Sequence, residues 1–442
     1  MQNKNIIIIG NGISGVTAAR HIRKRSSHKI TIISSESDYF YSRTALMYVF
    51  MGHMRYEHTK PYEDYFWSKN NIGLIKDYVE NIDFRQKILH LREGADLSYD
   101  ILILATGSKY NRPDWAGIDL MGVQGLVNLQ DLELMEINTN GVSEAVIVGG
   151  GLIGIEMAEM LKTRSINVTM LVREDNFWGN ILPEAEAKLI KGHIVEHGIN
   201  LKLNTQLKEI LGDDNKVVGV TTGTGERIPC GFVGVAVGVS PNIGFLENST
   251  LNTSKGILIN EYFETNIHDV YAIGDCAEFT EALQGRMSIE QVWYTGRMHG
   301  ETLALTLCGK KTAYNPGPWF NSAKFIDIEY QVYGKISNTV PEDETHLFWK
   351  HESGKKSIRI AFKKESFIVV GINLLGIRYR HEVCDRWLQG KATIQEVLRK
   401  LKEANFDPEF HKKHEKEIVE QFEIQIWGDN LPKKQKRRFG FL

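Results

Sequence analysis

One short pattern occurs twice in this 442-residue chain and limits what it can fold into. Asn5 to Gly10 is an apolar strand, Gly10-x-Gly12-x-x-Gly15 turns the chain, and Ile13 to Arg25 runs on as a helix. Val146 to Gly149 is a second buried strand, Gly149-x-Gly151-x-x-Gly154 turns it, and Leu152 to Leu161 is the helix that follows. In this strand–turn–helix context the first glycine permits the tight turn and the second lets a pyrophosphate approach the backbone. The third lets helix and strand pack closely. The helix N-terminus then faces the phosphate with unpaired N–H groups and the positive end of its dipole. Two such units predict two doubly wound α/β folds, and two dinucleotides meeting face to face.

The remaining segments fit around these turns. Lys29 to Ser34 is the second strand of the first unit, and Glu36 just past it can accept both hydrogen bonds of an adenosine ribose. The aromatic loop Tyr39 to Leu46 holds one cation, Arg43, whose forked donors suit a pyrophosphate. Residues 61 to 92 read as helix and short strands. Tyr99 to Ala105 is another apolar strand, ending in the small-residue turn Ala105-Thr106-Gly107-Ser108, where an α/β sheet takes its ligand. Asn111 to Gly125 is a crossover, and Leu129 to Ile137 is helical.

After the second turn, Asn167 to Val172 is a strand ending in Arg173 and Glu174, and Pro183 to His197 is a helix. Leu201 to Leu211, Val217 to Thr222 and Phe232 to Val237 are strands. Thr265 to Asp275 is a strand running into Gly274-Asp275, where the Asp can bind a sugar or ribityl hydroxyl or cap a helix. Ser288 to Leu307 is a long helix containing Trp293. From Pro316 the pattern changes to strands (Ala323 to Tyr333, Thr345 to Lys350, Lys356 to Lys363, Phe367 to Leu374) and then helices (Arg380 to Gln389, Ile394 to Glu403, Glu409 to Glu420). This is an α+β region with no nucleotide signal. The end, Lys433 to Leu442, is basic and then aromatic. It reads as a solvated tail or as a docking peptide for an acidic partner or a membrane surface.

Composition removes other classes. A net charge of −2 carries no field for nucleic acid. No apolar run approaches the roughly 18 residues that span a bilayer. The four cysteines, Cys230, Cys276, Cys308 and Cys384, are far apart, which argues against a disulfide framework, a zinc site or a local dithiol. A reducing cytoplasm is the expected compartment.

In their order, these pieces resemble the FAD- and NAD(P)-dependent pyridine nucleotide-disulfide oxidoreductase superfamily over about residues 5 to 310. The resemblance implies that Gly10, Gly12, Gly15 and Glu36 bind the FAD adenosine half. It assigns Ala105, Thr106 and Gly107 to the family's ATG turn and Gly274 with Asp275 to the ribityl-binding turn. Gly149, Gly151 and Gly154 then bind NAD(P)H, and Glu156 lies near the nicotinamide and flavin N5. Tyr41-Ser-Arg-Thr-Ala-Leu46 is similar to the Y-x-R-P-x-L stretch of ferredoxin- and rubredoxin-reducing members and of apoptosis-inducing factor, which makes Arg43 an FAD contact. Thr44 replaces the usual Pro, and Tyr48 stands where a Lys is common. Val292 to Gly309 is similar to the W-x-x-A-x-x-Q-G helix under the flavin, so Trp293 lies at the cofactor, with Gly296 and His299 replacing Ala and Gln.

The implied fold is two Rossmann-like, glutathione-reductase-type domains plus an α+β C-terminal domain. Residues 1–112 and 252–315 would bind FAD, 113–251 NAD(P)H, and 316–442 would form an interface domain. No cysteine precedes Cys230, so the thiol relay of disulfide reductases is absent and electrons must leave the flavin for an external acceptor. A ferredoxin- or rubredoxin-like protein is the expected partner, with the chain as a homo-oligomer or as the flavin subunit of a larger complex. The rival readings are a membrane-surface quinone reductase and a redox-sensing interaction protein. NAD-preferring members carry an acid at the position of Val172. Arg173 favours the 2′-phosphate of NADPH, while Glu174 and Asp175 could accept from a ribose 2′-OH.

Overall fold

The structure, a computed structural model, describes residues 3–407, 409–410 and 412–427; the basic–aromatic tail lies outside them. The chain opens with β1 (Asn5–Ile9), α1 (Ile13–Arg23) and β2 (Lys29–Ser34), followed by the short helix α2 (Leu46–Phe50), β3 (Ile72–Lys76) and β4 (Ile101–Leu104). β1 is four consecutive isoleucines after Asn5 because both of its faces are covered, as expected of a central parallel strand. The second fold follows with β5 (Val123–Gln124), α3 (Leu129–Asn138), β6 (Glu144–Val148), α4 (Leu152–Thr163), β7 (Asn167–Leu171), β8 (Asn200–Lys202) and β9 (Phe232–Val235). Then β10 (Val270–Ala272) returns to the first sheet and α5 (Trp293–Leu307) packs on α1.

The two sheets have one plan. The first is ordered β10-β4-β1-β2-β3 and the second β8-β7-β6-β9-β5, every pairing parallel. In each, the strand that enters the glycine turn is central. A small antiparallel meander accompanies each sheet, residues 79–98 in the first fold and 207–229 in the second. The chain leaves the first fold through Ser108–Tyr110 and returns through Val239–Pro241, and these two passages pair antiparallel.

The chain divides into two compact units, Met1–Asp175 with Ile194–Pro316, and Asn176–His193 with Gly317–Leu442. The first holds both nucleotide folds. The second is built on five antiparallel strands, β11 (Phe320–Phe325), β12 (Ile328–Gly334), β13 (Glu344–Lys350), β14 (Ser357–Lys363) and β15 (Val369–Leu375), ordered β11-β12-β15-β14-β13. Helices α6 (His381–Gln389), α7 (Ile394–Lys400) and α8 (Glu415–Trp427) share its apolar core. Residues 176–193 join this unit through their side chains. Phe177 and Trp178 meet Phe325 edge-on, and Glu186 takes the forked donors of Arg359 at 2.6 and 2.8 Å.

Four expectations shift, the first being the last helix, expected over Glu409 to Glu420, which runs Glu415–Trp427. Ala323 to Tyr333 is a hairpin, turning at Ile326 (φ +60°), and not one strand. Leu201 to Leu211 splits between β8 and the meander strand Leu207–Asp213. The helix expected from Ser288 begins at Trp293, because Glu290 folds back onto Arg286 (2.6 Å) and accepts from Thr295 (3.0 Å).

Glu186 and Arg359 are both buried, Arg359 lying also over the Phe348 ring. Glu186→Gln, which leaves the guanidinium uncompensated, costs about 3–5 kcal/mol in chemical denaturation. Glu186→Leu combined with Arg359→Met stays close to the parent.

Candidate functional site

The two glycine turns have the same geometry. Gly10 has φ +115°, and its N–H donates to Ile33 O at 2.8 Å; a Cβ there would stand 2.1 Å from Ala105 O. A Cβ on Gly15 would stand 2.1 Å from Gly10 O. In the second fold Gly149 has φ +118° and donates to Leu171 O at 2.9 Å. Cβ atoms on Gly149 and Gly154 would stand 2.2 Å from Ala236 O and 2.5 Å from Gly149 O. Protein packing therefore dictates the outer glycines. The middle ones are different, since nothing lies within 4 Å of a Cβ on Gly12 or Gly151. Neither α1 nor α4 has a side-chain cap or an acid in its first turn, so both N-termini keep free N–H groups at an open face. A small open cradle over an uncapped helix end fits a pyrophosphate in both folds.

Around the first turn the expected residues converge. Asn11 donates its amide to Ser37 O (2.9 Å) and Ser37 Oγ (3.1 Å), which pins the loop after β2. Glu36 in that loop accepts from the Tyr41 hydroxyl, from both ends of the Arg43 fork (2.9 and 2.6 Å), and from the Leu129 N–H (3.1 Å). Burial pushes the Glu36 carboxyl up, but Arg43, Tyr41 and Leu129 outweigh it and hold it below the usual range. Arg43, read from the sequence as a pyrophosphate contact, is thus seated on Glu36 and also donates to Val127 O.

The ATG turn closes the other side. Ala105 N–H bonds Ile9 O (2.8 Å), Thr106 Oγ1 donates to Asn242 O (2.8 Å), and Ser108 Oγ donates to Asp275 Oδ2 (3.0 Å). Burial raises the Asp275 carboxyl, with Ser108 and Arg43 pulling it back. Gly274 lies against α1, where its Cβ would meet Ser14 Oγ at 2.3 Å. The Gly274 N–H donates to His299 Nδ1 at 3.1 Å. His299 is fully buried among Phe263, Phe279 and Tyr314, and accepting at Nδ1 places its proton on Nε2. Trp293 opens α5, its ring edge-on to Tyr294 at 5.4 Å.

In the second fold Ala236-Val237-Gly238 repeats the ATG turn. The Ala236 N–H bonds Val148 O at 2.8 Å, Gly238 has φ +93°, and Asn111 donates its amide to Val237 O at 3.2 Å. The sequence reading passed over Ala236, although AVG after Phe232–Val235 matches ATG after Ile101–Leu104. Arg173 is exposed past β7, its Nε donating to Glu174 at 2.8 Å. Val172 is buried. Glu156 sits half-buried on α4, five residues past Gly151.

Alanine substitutions separate the glycine roles. Gly10→Ala and Gly149→Ala lower the unfolding free energy, whereas Gly12→Ala and Gly151→Ala fold normally and lose affinity for one dinucleotide each, read by denaturation and by ligand titration.

Burial, with Arg286 nearby, lowers the His299 imidazole to about 3. The unfolded chain protonates that ring near its ordinary value, so between about pH 6 and 3 the unfolded state binds the extra proton. Stability then falls with acid by at most about 1.4 kcal/mol per pH unit from this group. His299→Gln, whose side-chain oxygen can still accept from Gly274, flattens that limb in denaturation curves taken at successive pH values.

Comparison with known proteins comes out on the same side. The pyridine nucleotide-disulphide oxidoreductase family matches residues 4–300 of the chain. A ferredoxin–NAD(P)(+) reductase of Sphingomonas sp is 28% identical over 397 residues, 88% of this chain and 94% of that protein. The rubredoxin–NAD(+) reductase of Pseudomonas putida is 27% identical over 318 residues, covering 71% and 83%. The crystal structure of a ferredoxin reductase from Rhodopseudomonas palustris matches with a TM-score of 0.76 at 22% identity, covering 84% of this chain and 91% of that one.

Proposed function

This chain belongs to the pyridine nucleotide-disulphide oxidoreductase family, and on that footing we propose that it passes electrons from NAD(P)H through FAD to a small carrier protein of the ferredoxin or rubredoxin kind. It is an oxidoreductase that uses FAD and NAD(P)H. The observation that carries the reading is the duplicated cradle: two folds, each with one glycine that packing leaves open over an uncapped helix N-terminus. FAD held here would supply the capacity to accept a hydride from a reduced nicotinamide and to release electrons singly.

The residues divide between the two cofactors. Gly10, Gly12, Gly15, Glu36 and the Ala105–Gly107 turn hold FAD in this reading, with Gly274 and Asp275 at its ribityl chain and Trp293 at the start of the helix beneath it. Arg43 balances the charge of Glu36. Gly149, Gly151 and Gly154 hold NAD(P)H, and Glu156 is the acid at the nicotinamide end. Buried Val172 offers no acid to a ribose 2′-OH. The Nε of Arg173 is occupied by Glu174, which leaves its terminal nitrogens for a 2′-phosphate and favours NADPH.

The thiols support an external acceptor. Cys230, Cys276 and Cys384 are buried and Cys308 half-buried, all unpaired. Burial pushes the Cys230 thiol up to about 12 and raises the other three, which opposes the thiolate a relay needs. The relatives named for ferredoxin and rubredoxin suggest the acceptor class.

Anaerobic rapid mixing tests the reading. NADPH bleaches the flavin faster than NADH does, and a ferredoxin- or rubredoxin-type carrier restores its colour faster than a quinone. Arg173→Ala raises the NADPH requirement about tenfold and leaves NADH unchanged, the order of one lost charged hydrogen bond. Glu156→Ala slows bleaching at unchanged FAD content. A purified protein that cannot be loaded with FAD would sink the proposal.

A further inference from the structure

Glu36 is held from across the fold boundary. The Leu129 N–H that its carboxylate accepts belongs to the first residue of α3, and Gln130 Nε2 donates to the Glu36 backbone carbonyl at 2.8 Å. α3 is built to present this end. Asn128 caps it by accepting from the Asp131 N–H at 2.7 Å, and Asp131 Oδ2 accepts from Val127 N–H (2.8 Å) and Asn128 N–H (3.1 Å). Glu136 in its last turns takes Arg164, just past α4, at 2.8 Å, and the same guanidinium donates to Phe50 O at the end of α2. α3 therefore bonds the first fold directly at its start and, at its other end, is linked to it through Arg164.

A carboxylate that must accept from two ribose hydroxyls needs its direction set by groups that do not move with the ligand. Glu36 lies in a loop two residues past β2, where Asn11 fixes Ser37 but not Glu36 itself. Tyr41 and Arg43, which reach its carboxylate from the first fold, stand on that same loop. Outside this loop, Ser34 at the end of β2 accepts the Glu36 N–H on its Oγ (3.2 Å), and the groups that bond the Glu36 carboxylate and carbonyl from elsewhere among the described residues are on α3.

We infer that Gln130 is a positioning residue for the adenosine half of FAD: the second nucleotide fold, through α3, orients the ribose acid of the first. Flavin affinity then depends on a side chain that acts through Glu36. The inference rests on the assignment of Glu36 to the FAD ribose.

A double-mutant cycle on deflavinated full-length protein tests it. Glu36→Gln, Gln130→Ala and the double variant are titrated with FAD by quenching of flavin fluorescence, with melting temperatures recorded alongside. Gln130→Ala weakens FAD about fivefold in the parent, the order of one hydrogen bond, and has little or no effect in the Glu36→Gln background. Equal losses in both backgrounds would mean that Gln130 acts on the fold and not through Glu36, and would overturn the inference, as would no loss in either. Failure of the unmutated protein to take up FAD at all is a separate result, and it removes the flavin reading itself.

Discussion

Two carbonyl oxygens, on Ala105 and Ala236, set the constraint on which both nucleotide folds depend. Each sits 2.1 to 2.2 Å from where a Cβ of the first turn glycine would lie. At the strand end that glycine crosses over the neighbour's carbonyl at positive φ, which a residue with a Cβ could not do without a clash. Gly10 and Gly149 do so while bonding Ile33 O and Leu171 O on the opposite neighbour. The helix that follows is then forced close, and Gly15 and Gly154 are the residues that permit it. What remains uncommitted in each fold is the middle glycine and the N–H groups above it. The pyrophosphate cradle is what backbone packing leaves over.

The polar groups of the proposed flavin site come from distant parts of the chain and satisfy one another. Asp275 receives Ser108, and His299 holds the Gly274 N–H. Glu36 gathers Tyr41, Arg43 and Leu129. In a half-buried site each carboxylate needs such partners, since an unpaired one would rise in pKa and lose its charge. The second fold carries fewer buried charges at its turn. Past its second strand lies exposed Arg173, paired with the half-buried Glu174.

Much of the fold was legible because its local signals agree. Isoleucine runs, glycine turns and helical periodicity each point to βαβ units, and β2 lies where its apolar run does. The errors have physical causes. The hairpin at Phe325–Ile328 turns at Ile326, a β-branched residue at positive φ where a glycine or asparagine would have marked a turn. The start of α5 is set by Glu290 folding onto Arg286, a contact that helical periodicity does not encode. In the site, glycines and acids were readable since their spacing is local. Leu129, Gln130 and His299 were not assigned roles, because their partners Glu36 and Gly274 lie far away in sequence.

By itself, then, the sequence determined the classes of chemistry. Two glycine fingerprints specify two dinucleotides, and no cysteine stands before Cys230, where the resemblance would place a thiol relay. These are statements about short segments, where backbone sterics and residue type suffice. Only the tertiary structure decided that Arg43 rests on Glu36, that His299 stands neutral behind the Gly274 turn, and that α3 reaches back to Glu36. Each of these depends on which charges and donors meet in a buried space, and burial belongs to the folded chain and not to its composition.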